Sequence, residues 1–546
     1  MVLISRRQVL SLIPAAGLLT VAVPLRAFAD AETDHARLLA NTVAIYAGTE
    51  TSNGRPAAAN KLTAIHDTAR TRLAQLDAAG SGELFDGLPL GTSDPNLTRS
   101  CERLFQIALA TRTPGYDSDL VGNVDVQRRV IDGLAWLHEN YLADQDAGYY
   151  GNWHNWEIGF PSQVSRTLAL LADEVAAHQP DLVATLVATM DAYLRNGKDG
   201  DVDLDSRFHT GANLADITTN RILQGALLGD DARISKAVAD QSTVFATIDP
   251  YHLEHGNTDG YYADGSFIQH HSVAYTGSYG KVLLGRITQT IKILDGASSA
   301  GSADLVAVVQ AWVVNGFAPL IFEGWMMEVV KGRAVSRTTT GYADVRAVIE
   351  AVVDLAGYAV GSDAAALKCY VKYLDSASPV AVDPDGFASP VSIVRYADII
   401  GDDAITAADL NPAERHTGFN AMDKTVHRRP GYAFALARSS MRISKYEYMN
   451  GENLMPWFQA DGAHYLYLSG QDQTRAFGVD YYTTVSPYRL AVVTSPVEER
   501  STVPDLYGRS GTRTPTTHSG SPPRRSRRTP MSTSHAAPVP PRSSGT

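Results

Sequence analysis

Between Asp264 and Gly280 the chain reads Asp-Gly-Ser-Phe-Ile-Gln-His-His-Ser-Val-Ala-Tyr-Thr-Gly-Ser-Tyr-Gly, which gathers His270, His271, Tyr275 and Tyr279 in one short span. Imidazole and phenol can each donate or accept a proton, so this composition suits proton transfer. A hydrogen-bonded helix start with core aromatics would look the same. Four other segments concentrate polar chemistry. Gly151–Gly159 holds Asn152, Trp153, His154 and Trp156. Indole faces beside amides suit a sugar, with rings against its C–H faces and amides to its hydroxyls, although both tryptophans could equally be core. Thr210-Gly-Ala-Asn213 is the third segment. The fourth, Lys331-Gly-Arg333-Ala-Val-Ser-Arg337, carries two arginines four apart, a spacing that puts both on one side of a helical turn and suits a carboxylate. The fifth, Tyr446-Glu-Tyr-Met-Asn450-Gly-Glu452-Asn453, could also be a polar turn between strands.

These segments must be positioned by 546 residues that are 44% hydrophobic and 19% charged, the balance of a globular chain with room for more than one domain. Residues 30–375 read as helical. Val164, Leu168, Leu171 and Val175 share a helical face, as do Leu182, Leu186, Met190 and Tyr193, and short polar links suggest stacked antiparallel helix pairs. Residues 376–400 carry the turn signals Ser-Ala-Ser-Pro and Asp383-Pro-Asp-Gly386 and read as a linker. From 401 to 505 the period changes to two, with strands expected at Tyr432–Leu436, His464–Leu468 and Tyr481–Val485. Residues 506–546 hold seven prolines, seven arginines and no acid, and read as a disordered tail.

Residues 1–29 form a twin-arginine-type export signal: Arg6-Arg7, an apolar run from Val9 to Val23 and then Ala27-Phe-Ala29. The run is shorter than the ~20 residues that a membrane-spanning helix needs, so the expected product is secreted and free of the membrane. The ten arginines of the leader and tail leave residues 30–505 with a formal charge of −22, against −12 for the whole chain. A body this acidic repels nucleic acid, and it would bind an acidic polymer only through a locally basic cleft. Cys101 and Cys369 are the only cysteines and lack metal-type spacing; a disulfide between them is open but not required. No Gly-x-Ser-x-Gly elbow, phosphate loop or dinucleotide fingerprint occurs.

The five segments, in this order, resemble polysaccharide lyase family 8, which contains hyaluronate, chondroitin AC and xanthan lyases; the likeness runs from about residue 34 to 490. The resemblance implies an α+β multidomain chain, with an incomplete α/α toroid followed by an antiparallel β-sandwich region that looks truncated. It implies a catalytic set of Asn213, His270, Tyr279 and Arg333, held by Arg337 and Glu452. Asn152, Trp153, His154, Trp156, Asn450 and Asn453 become candidate substrate contacts. Two features depart from the family. Its Asn-Trp-Trp is Asn152-Trp153-His154 here, and the stretch around Tyr251–Gly260 looks longer, which could shift a loop at the cleft. Asn220 is a rival to Asn213, set aside because Thr-Gly-Ala-Asn is the matching motif.

The implied reaction is β-elimination from a uronic acid, whose C5 proton is α to a carboxylate. Asn213 would donate to that carboxylate as charge develops. Tyr279 would carry the proton, its phenolate favoured by nearby Arg333, and then protonate the leaving O4, while His270 assists or takes the proton itself. No cofactor or metal is called for, and a monomer acting on an acidic polysaccharide is expected. Hyaluronate or chondroitin is the expected substrate; the alternatives are a xanthan lyase of the same family, a glycoside hydrolase using opposed carboxylates such as Glu157 and Asp264, and a non-catalytic, truncated glycan-binding homologue. The tail reads as out-of-frame or truncated sequence, and a sandwich left incomplete by it would weaken Glu452's support of the cleft and favour aggregation.

Overall fold

The computed structural model describes residues 31–146, 148–298, 303–338, 341–478 and 506–508. The predicted leader, the strand expected at 481–485 and the tail beyond residue 508 lie outside them. Among the described residues no helix is long and apolar enough to cross a membrane.

From Ala31 to Gly401 the chain is a succession of helices that pack in pairs into an incomplete α/α toroid. Local chemistry sets many of their ends. Ser93, Asn123 and Asp230 each accept a hydrogen bond from a backbone N–H of the turn they cap. Gly229 ends the helix Gly211–Leu228 in the left-handed conformation. The apolar face read at 164–175 is divided at Leu171 between two helices, Phe160–Leu170 and Ala172–His178. Leu182, Leu186, Met190 and Tyr193 are all buried on one helix, Leu182–Tyr193.

The helical layer is broken near the site by two small antiparallel sheets. One is β1 (Gly260–Tyr261), β2 (Phe267–Gln269) and β3 (Val273–Ala274); the other is β4 (Ile321–Phe322) and β5 (Trp325–Met326). The C-terminal region contributes β6 (Arg415–Phe419), β7 (Lys424–Arg429), β8 (Tyr432–Ala437), β9 (Tyr446–Glu447), β10 (Ala463–Leu468) and β11 (Tyr507–Gly508). Strands β10-β8-β7-β6 form one antiparallel sheet, and β11 pairs with β9. On β8 the alanines 433, 435 and 437 face the core while Tyr432, Phe434 and Leu436 face outward. Tyr465 and Tyr467 of β10 supply the bulk on the inner face.

One apolar core runs from Ile158 to Phe477 and joins toroid to sheet. Polar contacts fix the junction. The Tyr467 hydroxyl donates to Glu328 Oε2 at 2.5 Å, and Arg428 Nη1 donates to the carbonyls of Ala318 and Ile321 at 3.1 and 3.2 Å.

Two expectations are corrected here, and the open question of a disulfide is answered. The linker read at 376–400 contains the helix Pro390–Gly401, which buries Ile393, Tyr396 and Ile399; Pro390 starts a helix rather than breaking one, because a first-turn proline lacks only an N–H that would have no partner there. The tail read as disordered from 506 begins with a paired strand: Tyr448 N–H donates to Leu506 O at 2.9 Å, and Tyr507 is half-buried against the core. Cys101 and Cys369 are free, and burial pushes the Cys101 thiol up to about 12.

Candidate active site

A cavity of about 830 Å³ opens at the junction, and Asn213, His270, Tyr279, Arg333 and Arg337 all line it. Each is set by a distinct local device. Asn213 stands in the first turn of the helix Gly211–Leu228. That helix begins at Gly211, whose φ is +50° and where a Cβ would strike the Gln269 side chain, so only glycine fits. Gln269 in turn accepts from Ala212 N–H at 3.3 Å and donates to Thr210 O at 3.2 Å, tying the helix start to β2. His270 and His271 follow β2 in left-handed conformations, φ +54° and +66°. Buried Asp259 holds the turn, accepting from His271 N–H at 2.7 Å, from Thr210 Oγ1 at 2.7 Å and from Gln269 Nε2 at 3.1 Å. Non-glycine residues in this region carry strain that surrounding contacts must over-determine.

Tyr279 lies in a π-helical turn, Thr276–Gly280, that leads into the helix Lys281–Ile293. Arg333 lies within a 3₁₀ turn, Gly332–Ser336, and Arg337 caps its end. Gly332, at φ +54°, lets the backbone pass over the Tyr275 ring where any Cβ would collide.

The centre of the arrangement is Glu447, fully buried on β9. Its Oε1 lies 2.5 Å from His270 Nδ1, and its Oε2 accepts from Arg333 Nη1 at 2.7 Å and from the Tyr275 hydroxyl. Nδ1–H therefore points at the carboxylate, leaving Nε2 for the cavity. Glu452 accepts from Arg333 Nε at 2.8 Å and Arg337 Nε at 2.7 Å, so the two arginines do converge on one carboxylate. Burial pushes the Glu447 carboxyl up, but the His270 hydrogen bond and charge and the Arg333 charge outweigh it and hold Glu447 below the usual carboxylate range. Burial likewise raises Glu452, and Arg337 and Arg333 outweigh it in the same way.

The Tyr279 ring packs on His270 with centroids 4.7 Å apart, and Arg333 Nη2 stands 3.5 Å from its hydroxyl. Burial outweighs Arg333, which acts on the phenol in the expected sense. Burial pushes the Tyr279 phenol up, and Arg333 offsets only part of that rise, so the proton is held more firmly than in water. Burial also keeps Tyr275 protonated, which suits it to donate to Glu447. The buried Asn213 side chain makes no hydrogen bond among the described residues and lines the cavity with its amide free to donate. Asn220 is excluded by position: it is buried in the same helix and donates to Ser162 Oγ at 3.0 Å.

Asn152, Trp153, His154 and Asn450 line the same cavity. Trp153 is braced edge-on by Phe208, centroids 5.0 Å apart. Burial draws the His154 imidazole down, and nearby Arg333 and His270 add to the effect against Asp216. Two predicted contacts are corrected. Trp156 is core: it is 1% exposed, packs on Tyr193 and Phe160, and donates Nε1–H to Tyr150 O. Asn453 is buried and donates to Glu447 O at 2.7 Å, so it braces the β9 loop. The long stretch at 251–260 lines a separate depression with Leu204 and His209.

Glu157 is buried against His209 and Asn196, and Asp264 accepts from Ser266 and Ala421 N–H groups. Neither carboxylate reaches the cavity, which removes the acid pair that a hydrolase would need. Sequence reasoning passed over Glu447, Tyr149 and Asp216 and gave Tyr275 no role of its own, although Glu447 and Tyr275 both lie inside quoted motifs.

A toroid of paired helices backed by an antiparallel sheet brings imidazole, phenol, amide and guanidinium to one cavity, a set suited to proton transfer beside an anionic substrate. The chain belongs to polysaccharide lyase family 8: residues 43–373 match the family's N-terminal alpha-helical domain and residues 414–522 its super-sandwich domain. It is 34% identical over 412 residues to a xanthan lyase of Bacillus sp. (strain GL1), covering 73% of this chain and 40% of that protein. It is 30% identical over 439 residues to a hyaluronate lyase of Thermasporomyces composti, covering 79% and 52% respectively. Among solved structures it resembles the Streptomyces coelicolor A3 chondroitin AC lyase in complex with chondroitin sulphate, with a TM-score of 0.73, 28% identity and coverage of 86% of this chain and 62% of that one. The chain thus spans roughly two-fifths to three-fifths of the length of these relatives.

Proposed function

We propose that this protein is a secreted lyase that cleaves a uronic-acid-containing glycan, hyaluronate or chondroitin, by β-elimination. The observation that carries the reading is the cavity that Asn213, His270 and Tyr279 line together, with Arg333 3.5 Å from the phenol oxygen. The Asn213 amide would donate to the substrate carboxylate and stabilise the charge that builds as the C5 proton leaves. The raised phenol of Tyr279 needs an acceptor for its own proton, and His270 Nε2 supplies one. Arg333 then stabilises the phenolate, which takes the C5 proton and returns it to the departing O4. Glu447 fixes the imidazole orientation that this exchange requires. An exported product follows from the Arg6-Arg7 leader.

The test is direct. The protein is incubated with hyaluronate, chondroitin and xanthan, and the ultraviolet absorbance of the new C4–C5 double bond is followed. Chain cleavage with rising absorbance on hyaluronate or chondroitin is expected. Cleavage without absorbance would mean hydrolysis, and binding without cleavage a carbohydrate-binding role. Turnover of xanthan alone would reassign the substrate, in keeping with the 34% identity to a xanthan lyase.

A further inference from the structure

A second cavity of about 320 Å³ adjoins the first, and the two meet at Val282. The helix Lys281–Ile293 runs from one to the other. Tyr279, in the turn before that helix, lines the first cavity, while Gly285 and Arg286 line the second. Arg286 is seven residues beyond Tyr279, about 10 Å further along a helix axis. The cavities are therefore neighbours on one track.

Most charges around the second cavity are already paired. Arg286 Nε donates to Asp216 at 2.6 Å, and Lys292 Nζ to Asp354 at 2.6 Å. Lys281 pairs with Asp344. Glu350, which also lines the cavity, accepts the N–H groups of Ala388 and Ser389 at 2.9 and 3.1 Å. Arg166 differs. It projects from the helix Phe160–Leu170, its guanidinium lies over the Tyr46 ring at 5.4 Å, and among the described residues no carboxylate lies within 4 Å of it. The Tyr46 hydroxyl takes one of its donors, but no carboxylate pairs with it, and the remaining donors of the planar fork suit a carboxylate or sulfate. The floor beneath is bare: a Cβ added at Gly285 would meet nothing within 4 Å, although glycine is disfavoured at mid-helix.

We infer that this second cavity is an anion subsite, in which Arg166 receives the carboxylate or sulfate ester of a sugar neighbouring the one that reacts. The inference rests on the reading of the chain as a lyase of acidic glycans. It gives an acidic body a cationic contact beyond Arg333 and Arg337, and it would set the register of the polymer over Tyr279. Burial draws the Arg166 pKa down, and a bound anion would offset that cost.

Two variants of the full chain test it: Arg166→Gln removes the charge, and Gly285→Leu fills the cavity without touching the charge. KM for hyaluronate and for chondroitin sulfate is measured for both. A rise of about tenfold or more is expected, as for the loss of a charge-assisted contact, with a smaller change in kcat. A rise on both polymers assigns the site to the carboxylate, and a rise on the sulfated polymer alone assigns it to sulfate. Wild-type KM in both variants on both polymers overturns the inference. A second measurement holds even if no polymer is cleaved, which would sink the functional reading instead. At constant ionic strength, inorganic sulfate in place of chloride should raise the thermal midpoint of wild type more than that of Arg166→Gln. Equal shifts in the two proteins would overturn the subsite.

Discussion

Glu447 on β9 and His270 in the turn after β2 stand 2.5 Å apart, 177 residues separated in sequence, and through this contact the C-terminal region sets the orientation of an imidazole in the toroid. The same carboxylate holds Arg333 Nη1 at 2.7 Å. Glu447→Gln keeps the shape but leaves Arg333 with one buried counter-charge fewer and turns a charged acceptor for His270 into a neutral one. Removing an orienting partner of this kind costs 10–100-fold in metal sites, and a kcat loss of about 10²-fold is expected here, with a lowered thermal midpoint. Glu452→Gln should cost less, because Glu452 is partly exposed and Arg333 would retain Glu447. Equal losses in the two variants would contradict this ranking.

Tyr279→Phe preserves the ring packing on His270 and removes only the hydroxyl. The expected result is a kcat loss of at least about 100-fold, the lower range for general acid–base catalysis, with KM little changed. A Phe variant that turns over normally would dismiss Tyr279 as the proton carrier. Asn213→Ala should also lose about 10²–10³-fold in kcat, the cost of deleting one donor to developing charge. Asn213→Asp should be worse still, since it sets a like charge against the substrate carboxylate.

The pH dependence of stability follows from the two glutamates. Both folded-state pKa values lie below the ordinary Glu value, so the stability they contribute is complete above that value, about 4.3, and is lost as pH falls through the depressed values. The thermal midpoint of wild type should therefore fall on acidification below about pH 4, and that of Glu447→Gln should fall less over the same window. Parallel curves would show that Glu447 is not held down in the folded protein.

The motifs around Asn213, His270, Tyr279 and Arg333 were legible in the sequence because residue identity alone carries them. The paired arginines were legible from spacing, although the turn that carries them is 3₁₀ and they meet on Glu452. Trp156 was misread for a geometric reason. Positions 153 and 156 would share a face of a regular helix, but the π-helical turn Asn155–Gly159 rotates the later residue into the core. Glu447 was invisible as a site residue because a strand's inward positions depend on its partners, and β9 pairs with residues 507–508 from a part of the chain whose composition signals no strand. The helix at 390–401 was hidden behind turn-forming residues that act as its start.

Asp259 offers a test of how the toroid holds Asn213 and His270 in common register. One buried carboxylate accepts from Thr210 Oγ1 beside the Asn213 helix, from His271 N–H in the strained turn and from Gln269 Nε2 between them. Asp259→Ala would remove the acceptor of three donors, those of Thr210 and Gln269 buried, at about 1–3 kcal/mol for each buried donor left unsatisfied, and release the left-handed conformation of His270. A drop in kcat of about tenfold or more is expected, on the argument that an ångström of misplacement is costly in an active site, together with a lower thermal midpoint. Asp259→Asn keeps an acceptor for His271 N–H and should recover part of both. The carboxyl is also pushed up by burial, against the Thr210 and His271 hydrogen bonds. A raised folded pKa contributes stability that is full below the unfolded value and is lost as pH rises through the folded one, a sense opposite to that of Glu447. Wild type should thus lose midpoint on that rise while Asp259→Asn does not. An Asp259→Ala protein with wild-type kcat and an unshifted midpoint would show that the His270 turn holds itself.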